Sequence, residues 1–404
     1  MNTQVQKTMI EEILTSIDIS TTAYEAAQRR YEDLSKWLIE SPKSQSAKFN
    51  PHVYPQGSFR LGTVIRPLEG DEYDLDLSCK LQKGITRENY TQEQLKNLTG
   101  RDLEAYRIER RIEQKLEPKH RCWRLHYQDV VRFHLDTVPC IPANDELVRQ
   151  LQERIINAGG TREFAEQVTH LAVFITDDRK PSYRMISPDW NLGNQEGYAQ
   201  WFISRMKMAN RVMESILKFE RAAKVDDIPI YKWKTPLQRC VQILKRHRDI
   251  MFQQNRDGKP ISAIITTLAA QAYQGENDIE SALQNILSRM GDLVRRQTPR
   301  VPNPVNPVED FADKWPTELG HRLKLEENFW AWLNAAKADF GALGSSNDVK
   351  ILTEQAKNKF GAILNSEELK KKFGSFGIAS AAGIGLAAQA PKSPVDHRGG
   401  GRFG

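Results

Sequence analysis

Residues 55–81 read PQGSFRLGTVIRPLEGDEYDLDLSCKL, with a Gly-Ser pair, a polar loop and then two aspartates one residue apart in an otherwise apolar run. In a β-strand residues i and i+2 share a face, so Asp74 and Asp76 are predicted to lie side by side, away from Leu75 and Leu77. Neighbouring carboxylates repel each other, and a hard cation such as Mg²⁺ relieves that cost. Taken alone the pattern is weak, because an exposed strand face is often acidic.

A Gly-Ser pair precedes these aspartates. Gly57 and Ser58 open a short predicted helical turn, where backbone N–H groups and the serine hydroxyl can cradle a phosphate. Glycine lets the backbone approach the anion closely. The alternative is an ordinary turn glycine followed by a helix-capping serine.

A third acid lies on a second predicted strand, which covers residues 129–140. Alternation places Arg132, His134 and Asp136 on one face of that strand. A buried carboxylate there is costly unless it meets a metal ion or a cationic side chain. The sequence therefore predicts either a metal ligand at Asp136 or an ion pair with Arg132 or His134.

The bulk composition excludes several classes of protein. A chain of 404 residues with 39% hydrophobic and 27% charged residues is typical of a globular protein with more than one domain. No apolar run reaches the roughly 18 residues of a transmembrane helix. The first residues lack the basic-then-apolar pattern of a secretory signal. We expect a cytoplasmic protein with no membrane partner.

Charge and cysteine content point to no special partner. The net charge of +6 is mild, and the basic groups at Lys245–Arg248 and Lys370–Lys372 are most simply interpreted as solvated helix faces. A nucleic-acid partner is therefore not required. The four cysteines show neither a CxxC pair nor zinc-ligand spacing, so reduced structural thiols are expected.

The coarse pattern along the chain alternates between helix and strand. Helix is predicted over residues 4–40, within 86–116 and over most of 194–373, whereas 161–194 is predicted as a strand or hairpin with loops. The last 31 residues hold 8 of the 24 glycines and one acid, which favours a flexible tail. We predict three parts: a core with N-terminal helices at 1–205, a helical domain at 206–373 and the tail at 374–404.

In combination these residues resemble the polymerase-β type of nucleotidyltransferase, and more closely the cGAS/DncV-like nucleotidyltransferases of bacterial anti-phage signalling (CBASS). The segments that carry the resemblance are Gln56-Gly57-Ser58-Phe59, Arg66-Pro67, Asp74-Leu75-Asp76, His134-Leu135-Asp136-Thr137-Val138-Pro139, Leu244-Lys245-Arg246-His247-Arg248-Asp249 and Lys259-Pro260-Ile261-Ser262. It spans roughly residues 5–370. It implies an α+β fold, with a mixed sheet flanked by helices, a helical C-terminal domain and an active-site cleft between these two lobes.

The resemblance also implies the catalytic acids. Asp74 and Asp76 would hold two Mg²⁺ ions, with Mn²⁺ as an alternative. Asp136 would complete the ion that activates the attacking ribose hydroxyl.

By family position, five further residues would bind the nucleotide. They are Gln56, Gly57, Ser58, Lys245 and Ser262. Without the resemblance, Lys245 would be interpreted as a surface lysine and Ser262 as a helix cap.

The implied reaction joins nucleoside triphosphates such as ATP or GTP, releases pyrophosphate and closes the product into a cyclic di- or trinucleotide. Such a second messenger would act on a separate effector protein. Two alternatives stay open: an enzyme of the same superfamily that adds nucleotides without cyclising them, and a catalytically silent nucleotide sensor or scaffold.

The C-terminus carries a separate hypothesis. The chain ends in HRGGGRFG, and in some related systems the enzyme is joined through its C-terminus to a target by an E1/E2-like protein. Gly404 is therefore a candidate conjugation site, because glycine adapts to a narrow active-site channel. Plain disorder is the alternative.

Overall fold

The structure is a computed structural model that describes residues 3–128, 131–206, 234–343 and 345–374. Its centre is a mixed sheet in the order β1-β2-β5-β4-β3, and β6 and β7 extend it from β5. The strands of this sheet are β1 Pro51–Pro55, β2 Tyr73–Leu81, β3 Glu117–Pro118, β4 Trp123–Tyr127, β5 Phe133–Pro142, β6 Val173–Ile175 and β7 Asn191–Gly193. A separate hairpin pairs β8 (Pro302–Asn303) with β9 (Asn306–Asp310).

Helices flank the sheet and form most of the described residues after residue 194. They are α1 Thr3–Ile17, α2 Thr21–Glu40, α3 Gly57–Leu61, α4 Gln92–Glu109, α5 Asp145–Asn157, α6 Arg162–Thr169, α7 Gln195–Met206, α8 Pro236–Met251, α9 Ser262–Ala272, α10 Ile279–Arg289, α11 Glu318–Leu323, α12 Leu325–Ala342 and α13 Val349–Phe360. Residues 366–374 are also helical.

Burial fixes the register of the central strands. Leu75 and Leu77 of β2 are fully buried in one apolar cluster with Leu34 of α2 and Leu95 of α4. A fully buried leucine contributes about 2 kcal/mol. Since a slip of one residue would turn the neighbouring acids into that cluster, the register of β2 is strongly specified.

The first helix packs with the C-terminal helices. Met9 and Ile13 of α1 share one apolar cluster with Val241 of α8 and Leu283 of α10. The first helix thus packs in the helical lobe. The domain boundaries at 205 and 373 stay a prediction, and residues 207–233 and the tail from 375 lie outside the described residues.

Helix α8 is tied to the segment that follows the Gly-Ser turn. Its N-terminus has a capping box, in which Thr235 and Gln238 satisfy each other's backbone N–H groups. Four side chains along one face of α8 then donate to backbone carbonyls of that segment. These hydrogen bonds are Gln238 to Leu61 (3.0 Å), Gln242 to Val64 (2.6 Å), Lys245 to Thr63 (3.0 Å) and Arg246 to Arg66.

Two local predictions were wrong. Residues 161–194 do contain the paired strands β6 and β7, but they begin with helix α6, which Thr161 caps through its hydroxyl. The basic group Lys245–Arg248 is not a solvated face, because all four side chains are buried.

The four cysteines are free thiols. Among the described residues, every helix is too short or too polar to cross a membrane.

Candidate active site

The parallel pairing of β2 with β5 brings the predicted acids together. Asp76 lies directly opposite Asp136 in the register, and Asp74 lies opposite His134. One carboxylate oxygen from each of Asp74, Asp76 and Asp136 lies within 4.8 Å of the other two. The three residues run from exposed Asp74 to buried Asp136, so the cluster opens to solvent on one side.

The Gly-Ser turn is seated against this cluster. Gln56 donates its backbone N–H to the carbonyl of Asp76 at 2.9 Å. Gly57 has a φ of +62°, and a Cβ added there would stand 2.3 Å from Oδ2 of Asp76. Only glycine allows the turn to approach the carboxylate this closely. Ser58 lies on the wall of the adjacent cavity.

The side chain of Gln56 is occupied inside the sheet. Its Nε2 donates to the carbonyl of Leu77 at 3.4 Å, and its Oε1 accepts from the Ser78 hydroxyl at 3.2 Å. These contacts brace the turn on β2. A direct contact of Gln56 with nucleotide stays a prediction.

Asp136 has an ion-pair partner that the sequence did not indicate. Arg124 of β4 donates from Nε to Oδ1 and from a terminal nitrogen to Oδ2 of Asp136, both at 2.7 Å. The hydrogen bond to Asp136 raises the pKa of Arg124, so the guanidinium stays charged. The partner is thus neither Arg132 nor His134, the two that neighbour Asp136 on its own strand face.

His134 pairs instead with Asp74. Its Nε2 lies 2.9 Å from Oδ1 of Asp74, and its Nδ1 lies 3.6 Å from Glu72. Burial alone would lower the pKa of His134, but the hydrogen bond and charge of Asp74 outweigh it and raise the pKa. Asp74 thus favours the protonated form of His134.

The surroundings of Asp76 disfavour its ionised form. Burial raises its pKa well above the usual value, and the charges of Asp74 and Asp136 raise it further. Arg124 and Lys245 oppose that shift without cancelling it. Ionised Asp76 thus costs free energy that a bound cation would recover.

The opposite wall is formed by α8 and the start of α9. The ammonium of Lys245 is buried and donates to the carbonyl of Thr63 at 3.0 Å. Burial, with the nearby charge of Arg248, lowers the pKa of Lys245 to about 8. Such a lysine presents a poorly solvated positive charge toward Asp74 and Asp76.

Ser262 is held by the same helix. Arg248 donates to the hydroxyl of Ser262 at 2.9 Å and to the carbonyl of Pro260 at 3.0 Å, while its other nitrogens bind Asp249. Because the hydroxyl accepts from a guanidinium, its own proton is left for a further acceptor. The serine can therefore donate into the cleft.

These walls enclose one cavity of about 410 Å³. It is large enough for nucleotide-sized ligands. It brings together Gly57, Ser58, Asp74, Asp76, Lys245 and Ser262. Seven further residues of its lining are charged, and they are Arg66, Asp71, Glu72, Arg246, Asp249, Arg256 and Lys259.

The donor set fits a divalent ion with hard ligands. All three side chains are carboxylates, the type that Mg²⁺ and Mn²⁺ prefer, and no thiol or imidazole belongs to the set. Burial and the two neighbouring acids raise the pKa of Asp76, so a bound cation would favour its ionised form.

A family model for the nucleotidyltransferase domain of proteins like the cyclic GMP-AMP synthase DncV matches residues 51–140. The curated c-di-GMP synthase of Roseivirga ehrenbergii is 31% identical over 366 residues, which cover 88% of this chain and 85% of that protein. The chain belongs to the cGAS/DncV-like nucleotidyltransferases. The family and the nucleotidyltransferase activity predicted from the sequence are therefore confirmed.

A second relative and its structure are similar to this chain as well. The cyclic dinucleotide synthase CdnG of Bradyrhizobium diazoefficiens is 24% identical over 374 residues, or 87% of this chain and 80% of that one. A structure of that species' CdnG in complex with GTP superposes with a TM-score of 0.62 at 18% identity, covering 92% of this chain and 99% of that chain. The predicted α+β fold class is thereby confirmed.

Sequence reasoning missed Arg124, because β4 is short and was not predicted as a strand. Its segment, WRLHY, does alternate, with Leu125 and Tyr127 buried on one side. That alternation was the available signal, although nothing local shows that Arg124 faces Asp136 across the sheet.

Proposed function

We propose that this nucleotidyltransferase joins two or three nucleoside triphosphates, releases pyrophosphate at each step and closes the product into a cyclic oligonucleotide. The observation that carries the proposal is the meeting of three carboxylates within 4.8 Å, with the Gly-Ser turn packed on one of them. A protein that only bound nucleotides would have no need to gather three repelling acids. The names of the curated relatives, both cyclic dinucleotide synthases, support the cyclising step.

The roles of the residues follow from their positions. Asp74, Asp76 and Asp136 would hold two Mg²⁺ ions, which lower the pKa of the attacking ribose hydroxyl and neutralise the phosphates when bound. The backbone at Gly57, with Ser58, would orient the terminal phosphates of the donor.

On the opposite wall, Lys245 and Ser262 would hold the donor triphosphate by charge and by a donated hydrogen bond. Their distance from Asp74 and Asp76 is fixed by the contacts of α8 with the segment after the Gly-Ser turn.

Product analysis tests the proposal. The protein is incubated with the four ribonucleoside triphosphates and Mg²⁺, treated with phosphatase and examined by mass spectrometry. A surviving product without free phosphate ends supports cyclisation, whereas only phosphatase-sensitive material would favour the non-cyclising alternative. GTP is the first single substrate to try, because one relative is a c-di-GMP synthase and another has been solved with GTP.

Lys245→Met should weaken binding of a non-hydrolysable nucleoside triphosphate. A lost charge-assisted contact costs roughly 1.5–3 kcal/mol, or about 10–100-fold in Kd. Since the pKa of Lys245 is about 8, the lysine loses its proton as the pH rises through 8. The Kd of the wild type should therefore rise above pH 8, and that of the variant should vary less.

Isothermal titration calorimetry between pH 7 and 9 measures this effect. Lys43→Met is the matched control, because Lys43 pairs with Glu109 on an exposed surface. If Lys245→Met has the Kd and the pH profile of the wild type, Lys245 does not bind the triphosphate.

The biological setting is also a proposal. The product would be a second messenger in cytoplasmic anti-phage defence, read by a separate effector. Gly404 would be joined to a target by an E1/E2-like partner, a hypothesis that falls on residues outside those described. Deleting the last residues should abolish conjugation in cells that hold the partner; conjugation that continues unchanged would exclude it.

A further inference from the structure

Arg124 stands inside the acidic cluster. It lies directly opposite Asp136 in the antiparallel pairing of β4 with β5. Its two donated hydrogen bonds of 2.7 Å engage both carboxylate oxygens of Asp136 in a fork-to-fork pair. The side chains are 23% and 11% exposed, so the pair is largely shielded from water.

The three acids differ in the positive charge that lies beside them. Both oxygens of Asp136 accept hydrogen bonds from a permanent cation, while Asp74 pairs with His134, and burial and the two neighbouring acids raise the pKa of Asp76. A divalent ion that used Asp136 would have to share or displace the guanidinium, and it would be repelled by it at short range. An ion held by Asp74 and Asp76 alone would not have to share or displace the guanidinium, although the charge of Arg124 also acts on Asp76.

We propose that Arg124 is a positioning residue that keeps Asp136 from binding a divalent ion too early. It holds the carboxylate in place, and the second divalent ion can bind only after the guanidinium leaves Asp136. The ion at Asp74 and Asp76 therefore binds first. This inference rests on the proposed metal site.

The release requires another acceptor for the guanidinium. A nucleotide phosphate is suited to that exchange, because the arginine fork matches phosphate as well as carboxylate. The second ion therefore loads together with substrate. The complete metal centre then forms only when a nucleotide is bound in the cleft.

Manganese binding to the full-length, nucleotide-free protein tests the inference by calorimetry. The wild type is expected to bind one Mn²⁺ tightly and a second weakly. Arg124→Gln should tighten the weaker site by roughly tenfold, since a charge-assisted pair need no longer be broken. Arg124→Lys, which keeps the charge but loses the fork, should give a smaller gain. A weaker site that is unchanged or weakened in Arg124→Gln overturns the inference.

Adding a non-hydrolysable nucleoside triphosphate provides a second readout. In the wild type, the nucleotide should raise the Mn²⁺ affinity of the weaker site toward the affinity measured for Arg124→Gln, because the guanidinium then binds phosphate instead of Asp136. If the variant keeps its full advantage in the presence of nucleotide, the proposed exchange is wrong.

Two sets of variants separate the possible failures. Arg110→Gln is the matched control, because Arg110 makes the same two-pronged pair with Asp33, at 2.8 and 2.9 Å, outside the site; it should leave Mn²⁺ binding unchanged. Asp136→Asn should remove the weaker site and cancel the gain in the double variant. If neither Asp76→Asn nor Asp136→Asn changes Mn²⁺ binding, the proposed metal site is wrong. If these variants lose Mn²⁺ binding while Arg124→Gln binds Mn²⁺ like the wild type, only the proposed role of Arg124 is wrong.

Discussion

Asp76→Asn is expected to abolish product formation while the protein stays folded. The carboxylate lies between Asp74 and Asp136, so its loss removes a ligand that both proposed ions need. Metal stabilisation of transition-state charge is worth several kcal/mol, and about 1.4 kcal/mol is tenfold in rate. A fall of about a thousandfold or more in the rate of product formation should follow, measured by pyrophosphate release.

The same substitution should stabilise the metal-free protein. Burial and the neighbouring acids raise the pKa of Asp76, so the folded state binds its proton more tightly than the unfolded state does. The resulting stability is present below the unfolded pKa and is lost as the pH rises through the folded pKa. At pH 8 with a chelator, the Tm of the variant should be about 2 °C or more above that of the wild type. This difference in Tm should become smaller as the pH is lowered.

Asp33→Asn is the control for both effects. Asp33 pairs with Arg110 on the surface, away from the cleft, and its pKa is lowered by that hydrogen bond. It should keep its activity and gain no stability. An Asp76→Asn protein that still makes product would show that the metal assignment is wrong.

Gly57→Ala is expected to lower activity by about a hundredfold. The new methyl group would stand 2.3 Å from Oδ2 of Asp76, far inside contact distance, so either the turn or the carboxylate must move. A displacement of about 1 Å near reacting groups can cost a hundredfold in rate. The φ of +62° adds about 1–2 kcal/mol of backbone strain.

Gly159→Ala separates the clash from the strain. Gly159 has a φ of +93°, but a Cβ there meets nothing within 4 Å. This control should lose stability, measured by thermal unfolding, and keep its rate of product formation. If Gly57→Ala matches the control in activity, the close approach of the turn to Asp76 has no catalytic role.

The sequence predicted the parts of the site that lie within single segments. The alternation of β2 separated Asp74 and Asp76 from Leu75, and that face is set by strand geometry alone. The short helical turn that begins at Gly57 was predicted as well, and it is α3. The close approach of Gly57 to the Asp76 carboxylate was not predicted, because the glycine was expected to approach a phosphate.

The contacts that were missed join distant segments. Arg124 reaches Asp136 only because β4 pairs with β5, and the sequence shows neither that pairing nor its register. The burial of Arg246 and His247 likewise depends on helices that pack on α8 from far along the chain. Local charge suggested solvent for this group, because a run of basic residues is usually exposed.

The hydrogen bonds along α8 have a consequence for how nucleotides enter. Gln238, Gln242, Lys245 and Arg246 must all lose their carbonyl acceptors before the base of the cleft can widen. Separating the two walls there would leave several buried donors and acceptors unsatisfied, which is costly. The cleft is thus a preformed slot of fixed width at its base. We expect nucleotides to bind without a change in the separation of the two walls at that base.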